Sequence, residues 1–207
     1  MIKDLHKYIK EPNTLSCGTL YVGTVNIKGL PEDEIRNIRI YLPSTYENKK
    51  LPVIYMMDGK NLFDKHTSFM GEWEFDEVIE KRIKEGKLEY IVVGIDSATS
   101  GEKRVEEMLP NNKHLTNVDD MPQDLLAYGN ILGDFIVKEL KNDIDTLFNT
   151  NKEYSIIGGS SMGGLFAFYM ANKYPNIFKQ FGPSCLVEGF CPEGRLTCGK
   201  LKTENDF

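Results

Sequence analysis

"YSIIGGSSMGG", Tyr154 to Gly164, decides the reading of this chain. Tyr154 to Ile157 reads as a buried strand and Leu165 to Lys173 as a helix, with a glycine-framed serine between them. Gly159-Ser160-Ser161-Met162-Gly163 satisfies G-x-S-x-G in the strand–turn–helix setting that this pattern needs to present a serine hydroxyl as a nucleophile. Small neighbours let the flanking chain close around a strained serine. The helix N-terminus beside it favours developing negative charge. A glycine-rich turn without chemistry is the plain alternative. G-x-G-x-x-G is not met in this stretch, so no dinucleotide fingerprint is read.

Upstream, "LPVIYMMDG" (Leu51 to Gly59) and "YIVVGID" (Tyr90 to Asp96) are unbroken apolar runs that stop at Asp or Gly, as central strands buried on both faces do. "LYVGTVNI" (Leu20 to Ile27) and "NIRIYLP" (Asn37 to Pro43) read as an antiparallel pair. Phe75, Val78, Ile79 and Ile83 put an apolar stripe on a helix over Glu74 to Glu85, and Leu125 to Leu147 carry a longer one. This order predicts an α/β fold with a mostly parallel central sheet and flanking helices. Chemistry in such sheets gathers at the carboxyl ends of the strands, where Asp58, Gly59, Asp96 and Ser161 fall.

Composition narrows the function. With 207 residues, 41% hydrophobic and 27% charged, the chain suits one domain, and a net charge of −6 gives no basic footprint for nucleic acid. The N-terminus lacks the apolar core of a secretion signal, and no run nears the ~20 residues of a membrane span. The expected location is the cytoplasm. Cys17, Cys185, Cys191 and Cys198 match no zinc spacing and read as free thiols. "GRLTCGKL" (Gly194 to Leu201) has G-x-x-x-x-G-K but Leu201 where a phosphate loop has Ser or Thr, and it reads as coincidence.

"VIYMMDGKNLFD" (Val53 to Asp64), "EWEFDEVI" (Glu72 to Ile79), "IVVGID" (Ile91 to Asp96), "RVEEMLP" (Arg104 to Pro110) and "YSIIGGSSMGGLFAFYMANKYPNIF" (Tyr154 to Phe178) together resemble the esterase family of α/β-hydrolases that holds enterochelin, feruloyl and acetylxylan esterases and S-formylglutathione hydrolases. The resemblance spans roughly residues 15–182. It implies Ser161 as nucleophile and the Met162 backbone N–H as one oxyanion donor. A second donor comes from the loop around Gly59, Lys60 and Asn61. Arg104, Glu107 and Pro110 match an element that supports the site, with Asp58 beside it. Trp73, the only tryptophan, reads as packed core or pocket wall.

In that fold the acid and then the histidine follow the serine. Here His6, His66 and His114 all precede Ser161. Glu188, Glu193, Glu204 and Asp206 follow it, in a stretch without periodicity. The expectation is an esterase domain over residues 1–182, incomplete at its C-terminal strands, and an atypical tail over residues 183–207, as a frameshift, a premature stop or a gene-fragment boundary would leave. His66 and His114 are weak substitutes for the missing base, and His6 a weaker one. The implied partner is a small-molecule ester, with no metal or organic cofactor, and self-association through an exposed sheet edge is expected. A non-catalytic binding protein and an acyltransferase on the same fold stay open as alternatives.

Overall fold

The computed structural model describes residues 1–30, 35–69, 71–110 and 126–184. Its frame is a seven-stranded mixed sheet in the order β1-β2-β3-β5-β4-β6-β7. The strands are β1 (Lys3–Lys7), β2 (Thr19–Asn26), β3 (Ile35–Leu42), β4 (Leu51–Met57), β5 (Ile91–Ile95), β6 (Thr150–Ser160) and β7 (Phe178–Ser184). β1, β2, β3 and β5 pair antiparallel in succession, whereas β5-β4-β6-β7 is parallel and carries the site at its carboxyl end. The helices are α1 (Phe75–Lys84), α2 (Gly101–Met108), α3 (Gly129–Phe135), α4 (Lys141–Leu147) and α5 (Met162–Lys173), with a π-helical turn, Ile136–Leu140, joining α3 to α4.

The apolar runs are buried on both faces because side chains alternate across a strand. Val53, Tyr55 and Met57 of β4 pack with Phe135, Ile136, Leu140, Phe166 and Met170 in one cluster. Ile54 and Met56 point the other way, to Phe75, Ile79 and Tyr41. Each apolar side chain so buried contributes roughly 1.5–3 kcal/mol relative to an exposed one. The stripe on α1 is narrower than its periodicity suggests. Phe75 and Ile79 are buried, but so are Asp76 and Glu80, which tie the helix to neighbouring loops. Glu80 accepts from the Tyr41 hydroxyl at 2.8 Å and from Ser44 N–H and Oγ at 2.8 and 2.6 Å.

Two strands escape the sequence pattern. β1, Lys3 to Lys7, is charged and largely exposed and is held by backbone pairing to β2. β7 pairs in parallel with β6 from Ser155↔Phe178 to Ser160↔Ser184. The strand that leads to Ser161 is therefore interior, so it is not itself the exposed sheet edge. β7 and β1 are the edges among the described residues. Residues 183 and 184 close β7, while Cys185, Cys191, Cys198, the downstream acids, "GRLTCGKL" and the rest of the expected tail lie outside the described residues.

Candidate active site

β6 ends at Ser160 and α5 begins at Met162, leaving Ser161 to make the whole turn at φ 55°, ψ −119°. Backbone of this kind costs a non-glycine residue on the order of 1–3 kcal/mol and persists only where its surroundings enforce it. The enforcement is visible in Gly159. A Cβ there would stand 2.6 Å from the carbonyl carbon and oxygen of Gly163, and one on Gly163 would stand 3.1 Å from Met57 Cβ. Strand, turn and helix thus close against each other and against β4. Ser161 is exposed at a cleft of about 400 Å³ whose walls include Lys60, Phe69, Trp73, Thr99 and Arg104. Among the described residues no group hydrogen-bonds its hydroxyl.

The floor of the cleft is braced by ion pairs between distant elements. Asp58, buried and left-handed at φ 60°, accepts Arg104 Nε and Nη2 at 2.6 Å each and Ser97 Oγ at 2.7 Å. Arg104 Nη2 also donates to the Ser160 carbonyl at 3.2 Å. One guanidinium therefore ties the end of β4 to the turn before Ser161. The Asp58 hydrogen bonds strengthen the hold of Arg104 on its proton. Glu107 accepts the Ala98 N–H at 2.8 Å and Arg36 Nη2 at 2.9 Å, fixing the β5–α2 loop that forms the opposite wall. Its burial holds the carboxyl above the ordinary glutamate range despite these bonds.

The backbone donors separate cleanly. Met162 opens α5, where the first N–H groups have no partner within the helix. In the loop after β4, the Asn61 N–H donates to the Asp58 carbonyl at 2.9 Å and the Leu62 N–H to Gly59 at 3.2 Å. Asn61 is thereby spent as a donor. Lys60 N–H has no acceptor among the described residues. Gly59 permits the close approach of this loop to β5, since a Cβ there would lie 2.7 Å from the Gly94 carbonyl carbon. The Asn61 side chain instead accepts the Phe69 N–H at 2.9 Å, holding a segment of the cleft wall.

Neither of the two described histidines lines the cleft at Ser161. His66 is exposed, pairs through Nδ1 with Asp64 at 3.0 Å and is not among the cleft-lining residues. His6 is on β1 at one sheet edge, its Nδ1 2.7 Å from the Asp4 carbonyl oxygen. His114 lies outside the described residues. Sequence reasoning missed Phe69, Ser97 and the Thr99–Gly101 wall. One local signal was present: Ser100 caps α2, accepting Lys103 N–H at 3.1 Å.

The Esterase family model, described as "Putative esterase", matches residues 32–185. This chain belongs to that family. No curated protein matches it significantly in sequence. Among solved structures, this esterase-family chain is similar to the BES protein from Bacillus cereus, with 23% identity and a TM-score of 0.61 over 84% of this chain and 65% of that one. It is also similar to an S-formylglutathione hydrolase from Agrobacterium tumefaciens, with 18% identity and a TM-score of 0.56 over 86% and 60%. A siderophore hydrolase, EstB from Aspergillus nidulans, aligns with 18% identity and a TM-score of 0.56 over 83% and 57%. At these identities the likeness speaks for the fold. The chain spans less than two thirds of the length of these structures. No helix among the described residues is long and apolar enough to cross a membrane.

Proposed function

We propose that this member of the esterase family is a serine-dependent carboxylic ester hydrolase that works through an acyl-enzyme. The observation that carries the reading is Ser161, held at φ 55° between β6 and α5 and open to a cleft that Lys60 also lines, with Met162 opening the helix that follows it. The Ser161 hydroxyl attacks the ester carbonyl, the Met162 and Lys60 N–H groups receive the oxyanion, the alcohol leaves, and water resolves the acyl-serine. Arg104, Asp58 and Glu107 position the turn and the loop. Family membership and neighbours whose names include S-formylglutathione hydrolase and siderophore hydrolase support an ester or thioester as substrate.

No histidine follows Ser161 in this sequence. A serine without its base loses most of its nucleophilicity: removing the histidine of a working triad costs on the order of 10⁶-fold in kcat, and oxyanion donors with binding leave roughly 10³–10⁴-fold over water. The expected result with a reactive aryl acetate is slow turnover that Ser161→Ala removes and that His66→Ala and His114→Ala leave unchanged. Turnover indifferent to Ser161→Ala would overturn the serine mechanism. Fast turnover lost with one histidine would show a base upstream of the serine.

A further inference from the structure

Away from the Ser161 turn, three carboxylates converge where the loop after β4 enters α1. One oxygen each from Glu72, Asp76 and Glu77 lies within 4.8 Å of the other two. Glu72 Oε1, Asp76 Oδ1 and Glu77 Oε2 are buried and none has a hydrogen-bond partner. Asp76 is wholly buried. Acids in a first helical turn are favoured by the helix dipole, which accounts for Asp76 and Glu77 being acidic. It does not account for three buried carboxylate oxygens left without a hydrogen-bond partner in one acidic cluster, because buried carboxylates normally take hydrogen bonds or a cation.

The remaining oxygens show which side is already satisfied. Asp76 Oδ2 accepts Ser16 N–H at 2.7 Å and Ser16 Oγ at 2.8 Å, and Glu72 Oε2 accepts Thr14 Oγ1 at 2.8 Å. Both acids thus hold the segment before β2 with one oxygen and leave the other buried and unpartnered. An all-oxygen, multiply anionic donor set suits a hard divalent cation. Calcium, with ligands at about 2.3–2.6 Å, bridges oxygens up to about 5 Å apart, whereas magnesium at about 2.0–2.1 Å demands closer ones. We infer that Glu72, Asp76 and Glu77 form a calcium site that clamps the segment around Thr14 and Ser16 to the start of α1. Water and backbone oxygens would complete the shell. The site stands next in sequence to Trp73, so the ion would also stiffen a wall of the cleft.

Trp73 is the only tryptophan and provides the probe. Terbium, a luminescent stand-in for calcium, is titrated into the full chain with excitation through tryptophan. The expected result is saturable emission displaced by calcium and only weakly by magnesium, with affinity reduced about tenfold or more in Glu77→Gln, since ligand charge tunes such sites. Asp76→Asn serves as the second variant. Calcium should also raise the melting temperature of the wild-type chain and leave Glu77→Gln nearly unmoved. Emission that is absent, or equal in both variants and wild type, overturns the site. So does a melting temperature indifferent to calcium but raised by Glu77→Gln, the signature of carboxyls that merely repel or share a proton.

Discussion

At the scale of single residues, the site depends on places where a side chain is missing. Gly159 and Gly163 face each other across the turn so closely that any Cβ on the first meets backbone, which cannot swing aside as a flexible side chain can. Gly159→Ala should therefore destabilise the fold by about 3 kcal/mol, the upper end of ordinary overpacking costs. Gly101→Ala is the control, because nothing lies within 4 Å of a Cβ there. Urea unfolding should show the midpoint falling in Gly159→Ala with little change in slope, and near-wild-type behaviour in Gly101→Ala. Equal midpoints for Gly159→Ala and wild type would mean that the turn yields.

At the scale of elements, carboxylates tie the loop after β4 to distant segments of the chain. Asp64, fully buried, accepts the Tyr8 hydroxyl at 2.6 Å, the His66 N–H at 2.9 Å and the His66 ring at 3.0 Å, joining the N-terminal segment to the loop over the cleft. Burial by itself would raise its pKa, but the Tyr8 and His66 hydrogen bonds outweigh it and the carboxyl titrates below its ordinary 3.8. A depressed carboxylate adds stability above its unfolded pKa, and that stability is lost as pH falls through the folded value. Melting temperature measured from neutral to strongly acid pH should fall in the wild type below about pH 4, the unperturbed aspartate range. Asp64→Asn should melt lower at neutral pH and lose less on acidification. An acid limb equally steep in both would remove Asp64 from this role.

For the whole molecule, surface rather than site chemistry sets the expected behaviour. β7 is one edge of the sheet among the described residues, and beside it α5 exposes Leu165 at 36% and Phe168 at 49%. Phe168 packs edge-on against Phe181 of β7 with ring centroids 5.5 Å apart, so the apolar surface continues from helix to strand. An open edge next to apolar side chains invites pairing with another chain. The 207-residue chain should self-associate at tens of micromolar, an order-of-magnitude range for such surfaces. Light scattering that finds a compact monomer there would count against it.

What the sequence determined is what short-range pattern can encode. Runs such as Val53 to Met57 and Ile91 to Ile95 are apolar at every position, which only burial on both sheet faces satisfies, and G-x-S-x-G between a strand and a helix makes the Ser161 turn legible from local pattern alone. The family resemblance followed from the same stretches, and the family match agrees with it. What tertiary structure decided was every property that needs a partner far along the chain. β1 and β7 carry no strong pattern of their own and become strands through backbone bonds to β2 and β6. Arg104 meets Asp58 across 46 positions, and Asp76 meets Ser16 across 60. The Lys60 and Asn61 amides look alike in sequence, and only the 3₁₀ turn that sends Asn61 N–H to the Asp58 carbonyl tells them apart. Periodicity reports the environment a side chain needs, whereas hydrogen bonds and ion pairs depend on which atoms the folded chain brings within about 3 Å of each other.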